Sequence, residues 1–189
     1  MLMLALWVAS PVAGIAQTSD ALDWQGKLRF HAKSSYGPGA WAGFAAAAGL
    51  LQKTDSPKEW GQGGAAYGER FASVAGTTAI HGVLAFGLDT ALHQDPRYYR
   101  SGSTGFWRRS AHALRGTILT RTDAGGETFS TWRIGSAYGS AFLSNPWYPE
   151  RLDTAHHALL LGSVTMGLGL AGNLGAEFWP DIRKKLHRK

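Results

Sequence analysis

The chain has 189 residues, enough for one domain with its own core, yet only 17% are charged, below the quarter usual in soluble domains. A formal charge of +6 and a sequence pI near 9.8 favour anionic partners, either nucleic acid or acidic lipid. The absence of cysteine excludes disulfides, thiolate zinc sites and cysteine nucleophiles.

Residues 1–16, MLMLALWVASPVAGIA, carry no charge and read as the hydrophobic region of a secretory signal peptide. Gly14 and Ala16 supply the small residues that cleavage needs, so 17–189 is expected as a single helical domain ending in the basic tail RKKLHRK. Export makes nucleic acid a poor partner and leaves lipid as the anionic surface. The next segment, Trp24 to Lys33, is polar with mild alternation and stays open between a strand-like arm and an interfacial segment.

From Ala40 to Leu51 the composition favours helix, and Gly37-Pro38-Gly39 supplies a start signal, proline being tolerated in a first turn. The connector KTDSPKEWGQGG leads to the longest helical candidate, about Ala65 to His93, where Gly68, Ala72 and Gly76 recur at four-residue spacing. Such a stripe admits the close approach of a second helix. Each interior glycine costs about 1 kcal/mol against alanine, so close packing or a lipid surround must compensate.

A helix starting near Phe106 places Trp107, Ala111, Leu114 and Ile118 on one face, with Arg108, His112 and Arg115 on another. This suits an amphipathic helix on an anionic surface or, equally, a solvated face of a bundle. Gly125-Gly126 marks a break, and a further helix is predicted over about Ser130 to Leu143, with Gly135 and Gly139 one turn apart. The last helix is predicted from Asp153, as its N-cap, to about Phe178. The expected fold class is all-α: a glycine-rich, membrane-associated bundle of four to five helices without substantial sheet.

Residues 34–52, 71–88, 134–149 and 154–176 contain no Asp, Glu, Lys or Arg, and two of them, 71–88 and 154–176, approach the roughly 20 residues needed to cross a bilayer. Trp41, Trp60, Trp107, Trp132, Trp147 and Trp179 fall near predicted helix ends, where interfacial aromatic belts lie. The expected location is a cell-envelope membrane, inner or outer, after export. The other reading is a soluble periplasmic bundle with aromatics closing its helix ends.

Asp89 and His93 lie one helical turn apart, with His81 two turns earlier on the same side, and are the candidate catalytic residues. Alternatively, Asp89 near a helix end pairs with Arg97 or Arg100. Arg97, Arg100, Arg108, Arg109 and Arg115 surround or follow the glycine-rich turn SGSTG, a combination suited to a phosphate or an anionic headgroup. Gly68, Ala72, Gly76, Gly135 and Gly139 are the candidate helix-packing positions. His156-His157 cannot point the same way on a helix, so no metal is expected, and no cofactor. Neither a G-x-S-x-G elbow nor a P-loop or dinucleotide fingerprint occurs.

The runs ALHQDPRYYRSG, GFWRRSAHALRGTILTRTDAGGETF, SAYGSAFLSNPWYP and AGNLGAEFWPD resemble a family of exported bacterial proteins with no assigned activity. The resemblance runs from about Lys27 to the C-terminus and implies a single domain without transferring a catalytic residue. The expected function is a non-enzymatic structural or interaction component of the envelope, touching membrane lipid and a second copy or another envelope protein. The alternative is a membrane-surface enzyme or binding protein acting on anionic lipid or phosphate through Asp89, His93 and the Arg97–Arg109 cluster.

Overall fold

In the computed structural model, residues 20–187 are described; the expected leader, 1–16, lies outside them. The α-helices are α1 (Trp24–Tyr36), α2 (Pro38–Lys53), α3 (Gly64–Ala91), α4 (Phe106–Ile118), α5 (Thr131–Ser144) and α6 (Ala155–Leu186). The sheet is a single hairpin of β1 (Leu119–Arg121) and β2 (Glu127–Phe129), pairing Leu119 with Phe129 and Arg121 with Glu127. The expected all-α helical bundle is therefore what forms.

The segment left open at Trp24 to Lys33 is helical. Asp23 caps it by accepting the Gly26 N–H at 2.7 Å. Pro38 sits in the first turn of α2, as its fixed φ favours. Two boundaries differ from expectation. The N-cap of α6 is Thr154, whose hydroxyl accepts the His157 N–H at 3.2 Å, because Asp153 is engaged by the Asn145 amide at 2.7 Å. Moreover, α6 continues through Pro180 instead of stopping near Phe178.

Helix α3 is the axis of the bundle: α1, α2 and α5 pack on it, α6 packs on α5, and α4 packs on α6. Glycine permits the close approaches between α3 and α5. A Cβ at Gly135 would lie 2.8 Å from Leu88, and one at Gly139 would lie 2.9 Å from Leu84. The other proposed packing positions behave differently. Gly76 meets the Trp147 ring, whereas Gly68 and Ala72 face outward, with open space above Gly68. At Gly162 a Cβ would run into the Tyr138 ring. Gly162→Leu is thus expected to destabilise the α5–α6 contact by about 1–3 kcal/mol through overpacking. Gly68→Leu should instead raise the melting temperature of the single chain by about 2–3 °C through helix propensity, because only a partner helix would clash with the added side chain. Thermal unfolding in neutral detergent compares the two directly.

The distribution of side chains is inverted relative to a water-soluble core. Among the described residues the buried apolar side chains are Phe44, Trp132 and eight alanines; no leucine, isoleucine, valine or methionine is buried. The buried set instead contains Lys27, His31, Arg70, Asp89, Asp95 and Glu177. Several large apolar residues point outward, Val83 of α3 being 69% exposed and Leu159 of α6 50% exposed. Two helices, α3 and α6, are long and apolar enough to cross a membrane.

Candidate functional site

The charges collect at the two ends of α3. At its start, Arg70 is wholly buried and donates to the carbonyls of Ser56 (2.9 Å), Pro57 (2.7 Å) and Gly61 (3.0 Å) and to the Gln52 side chain (2.7 Å). It staples the α2–α3 connector. At its other end, Asp89 is wholly buried and accepts from His31 Nε2 at 2.6 Å and from the Thr90 hydroxyl at 3.2 Å. Lys27, one turn before His31 on α1, donates to the Asp89 carbonyl (3.1 Å) and to Asp123 in the hairpin turn (2.8 Å).

The expected Asp89–His93 pair is not made. Gln94 N–H bonds the Asp89 carbonyl at 2.8 Å and His93 N–H approaches the Thr90 carbonyl at 3.4 Å, a Schellman closure that puts His93 in the left-handed position at φ +51°. Its imidazole is 83% exposed and lies 3.7 Å from Asp123. His81, the third residue of the expected group, faces inward from α3 with Nε2 3.1 Å from the Ser136 hydroxyl. Nor does Asp89 pair with Arg97, which is held by Asp95 at 2.6 Å. Burial works against the Asp95 carboxylate, but bonds from Arg97 and Tyr99 outweigh it and hold its pKa below the usual 3.8. Burial, then the bond to Asp95, pushes the Tyr99 phenol up to about 12.

The expected anion site around SGSTG is already occupied by a carboxylate of the chain itself. Glu177 accepts from the Ser101 N–H (3.1 Å), the Ser101 hydroxyl and the Tyr98 hydroxyl (2.9 Å). Arg109 pairs with Asp181 and also donates to the Glu177 carbonyl, and Arg115 pairs with Glu127. The lysines and arginines following Glu177 in sequence are not its partners. Of the five arginines expected to hold an anion, Arg97, Arg109 and Arg115 are thus engaged internally, while Arg100 and Arg108 remain exposed. Beside Arg108, the outward face of α4 carries Trp107, 81% exposed, with Leu114 and Ile118.

Between the two charged ends, α3, α5 and α6 enclose a cavity of about 290 Å³. Its wall is aliphatic along α6, from Leu160 through Val164 to Leu168, and the α3 and α5 side sets Thr77, His81 and Arg133 among Val74, Ala137 and Ala141. No family model, no curated protein and no solved structure matches this chain. The arrangement must be interpreted from its own chemistry. No group of three or more His, Asp or Glu is placed to hold a metal ion among the described residues. His156 points outward while His157 is buried against the Asn145 side chain at 3.0 Å, so the adjacent histidines do not converge.

Sequence reasoning missed His31, Lys27 and Arg133. The first two had a signal, since Lys27, His31 and Ser35 recur every fourth residue and all three are buried. That stripe is polar, so a search for apolar periodicity passes over it. Arg133 had no signal, as its neighbours in the cavity come from other helices.

Proposed function

We propose that this chain is a membrane-embedded helical component of a bacterial cell envelope, acting by packing and binding instead of by catalysis. The inverted polarity carries the reading. Leaving a leucine or valine side chain in water forgoes about 1.5–3 kcal/mol relative to burying it, and a lipid surround removes that penalty. The spacing of the charged ends supports it as well. From Arg70 to Asp89 the α3 axis rises about 28 Å at 1.5 Å per residue, close to the roughly 30 Å hydrocarbon thickness of a bilayer.

The tryptophans follow the same division. Trp60 and Trp147 sit near Arg70, through its cation–π contact and the Ser73 hydrogen bond respectively, while Trp132 lies against His31 at the Asp89 end. Exposed Arg100 and Arg108, next to Trp107, suit contact with anionic headgroups at that end. The outward Gly68 and Ala72 suit close contact with a second copy or another envelope helix. The leader-like residues 1–16 support export. The enzymatic alternative loses its acid–base pair, since Asp89 is committed to His31 and His93 faces away.

Membrane fractionation followed by a sodium carbonate wash tests the proposal. The protein should stay in the pellet and leave it only with detergent. Release into the soluble fraction by carbonate would mean that the apolar exterior is covered by something other than lipid.

A further inference from the structure

Arg133 faces the cavity between α3, α5 and α6, and no counter-ion meets it among the described residues. Arg133 is half-buried, with its Nε buried and without a hydrogen-bond partner; among the described residues no carboxylate pairs with its guanidinium, which lies over the Trp132 ring at 4.5 Å. The Thr77 hydroxyl is also buried and unpartnered, but the register of α3 against α5, with Leu88 at Gly135 and Leu84 at Gly139, places it further along the cavity, helical turns away from Arg133. A guanidinium in an apolar surround is strongly unfavourable unless an anion meets it, and an unmatched hydroxyl adds to the penalty. His81, also lining the cavity, is satisfied by Ser136, so the free donor capacity near it belongs to Arg133.

The cavity is also long. Its α6 wall runs from His157 to Gly172, about 22 Å at 1.5 Å per residue. A volume of about 290 Å³ spread over that length leaves a bore for one hydrocarbon chain, not two. It also lies at the small end of ligand pockets. Leu160, Leu161, Val164 and Leu168 give that bore an aliphatic wall.

We propose that this cavity binds one single-chain anionic amphiphile, its carboxylate or phosphate monoester on Arg133 and its chain along α6. The proposal rests on the membrane reading only for the source of the ligand. Arg133 supplies two parallel donors to a carboxylate or phosphate, a geometry that lysine cannot reproduce. Neither Arg97 nor Arg109 can substitute, because each already holds a carboxylate.

The test uses the full chain in neutral-detergent micelles with radiolabelled dodecanoate, dodecyl phosphate and dodecanol, measuring retention above protein-free micelles. Dodecanoate or dodecyl phosphate should be retained near one per chain, and dodecanol should not; the better retained of the two anions identifies the headgroup. Arg133→Met should weaken anion retention about 10- to 100-fold, the range for a lost hydrogen bond to a charged group. Val164→Trp fills the bore without touching Arg133 and should abolish retention, which keeps the test decisive even where Arg133→Met folds poorly. Retention of dodecanol equal to that of the anions, or of the anions unchanged in either folded variant, overturns the proposal. A carbonate-released protein that still retains dodecanoate would refute the membrane reading alone. A carbonate-resistant protein that retains neither anion would refute this inference alone.

Discussion

Arg70→Met is expected to lower the stability of the fold by about 3–5 kcal/mol, the largest effect of any single substitution at the start of α3. The methionine keeps most of the buried volume, so the loss measures hydrogen bonding and not a cavity. Four acceptors lose their donor together: the carbonyls of Ser56, Pro57 and Gly61, and the Gln52 side chain. The guanidinium holds both sides of the connector against α3, and a lost hydrogen bond to a charged donor costs about 1.5–3 kcal/mol. Arg70→Lys should recover only a minority of the loss, because an ammonium cannot address both sides of the connector as the guanidinium fork does. Thermal unfolding in detergent, followed by helical circular dichroism, provides the measurement. An unchanged midpoint for Arg70→Met would show that the connector is held by other means.

At the opposite end, Asp89→Ala should cost about 3–5 kcal/mol and loosen α1 from α3. The carboxylate is wholly buried and takes the His31 proton donor at 2.6 Å, so its removal leaves His31 facing an empty acceptor position beside Trp132. Lys27 would keep its bond to the Asp89 carbonyl and its ion pair with Asp123, so α1 should detach only partly. Accordingly, faster hydrogen exchange is expected in α1 and the adjoining hairpin before it spreads to α5 and α6. Asp89→Asn keeps the shape and one acceptor, and should cost less than half as much.

Much of this architecture is legible in the sequence because its punctuation is local. Pro38 opens α2, Gly125-Gly126 makes the hairpin turn, and Asn145-Pro146 closes α5. What stayed hidden depends on partners far along the chain or on inverted patterning. Helix α1 buries Lys27, His31 and Ser35, so its inward face looks like an outward one. The end of α3 at His93 is a left-handed cap without glycine or asparagine, and one residue of displacement moves the imidazole off the Asp89 face. Glu177 sits beside Arg183, Lys184 and Lys185 in sequence, yet its donors are Ser101 and Tyr98, more than 70 residues earlier. The sequence pairs Asp89 with His93, whereas the structure pairs it with His31. The basic loop, in turn, proved to be neutralised largely from within.

The inward–outward inversion of the bundle is directly measurable, because the chain has no cysteine. Single cysteines at Val83, Leu159 and Arg100, spin-labelled after reconstitution into bilayers, report whether oxygen or a water-soluble nickel chelate reaches each site. Labels at Val83 and Leu159 should collide with oxygen and be shielded from the chelate, while the label at Arg100 should show the reverse. Chelate access at Val83 and Leu159 equal to that at Arg100 would rule out a lipid-facing exterior, because those side chains would then face water.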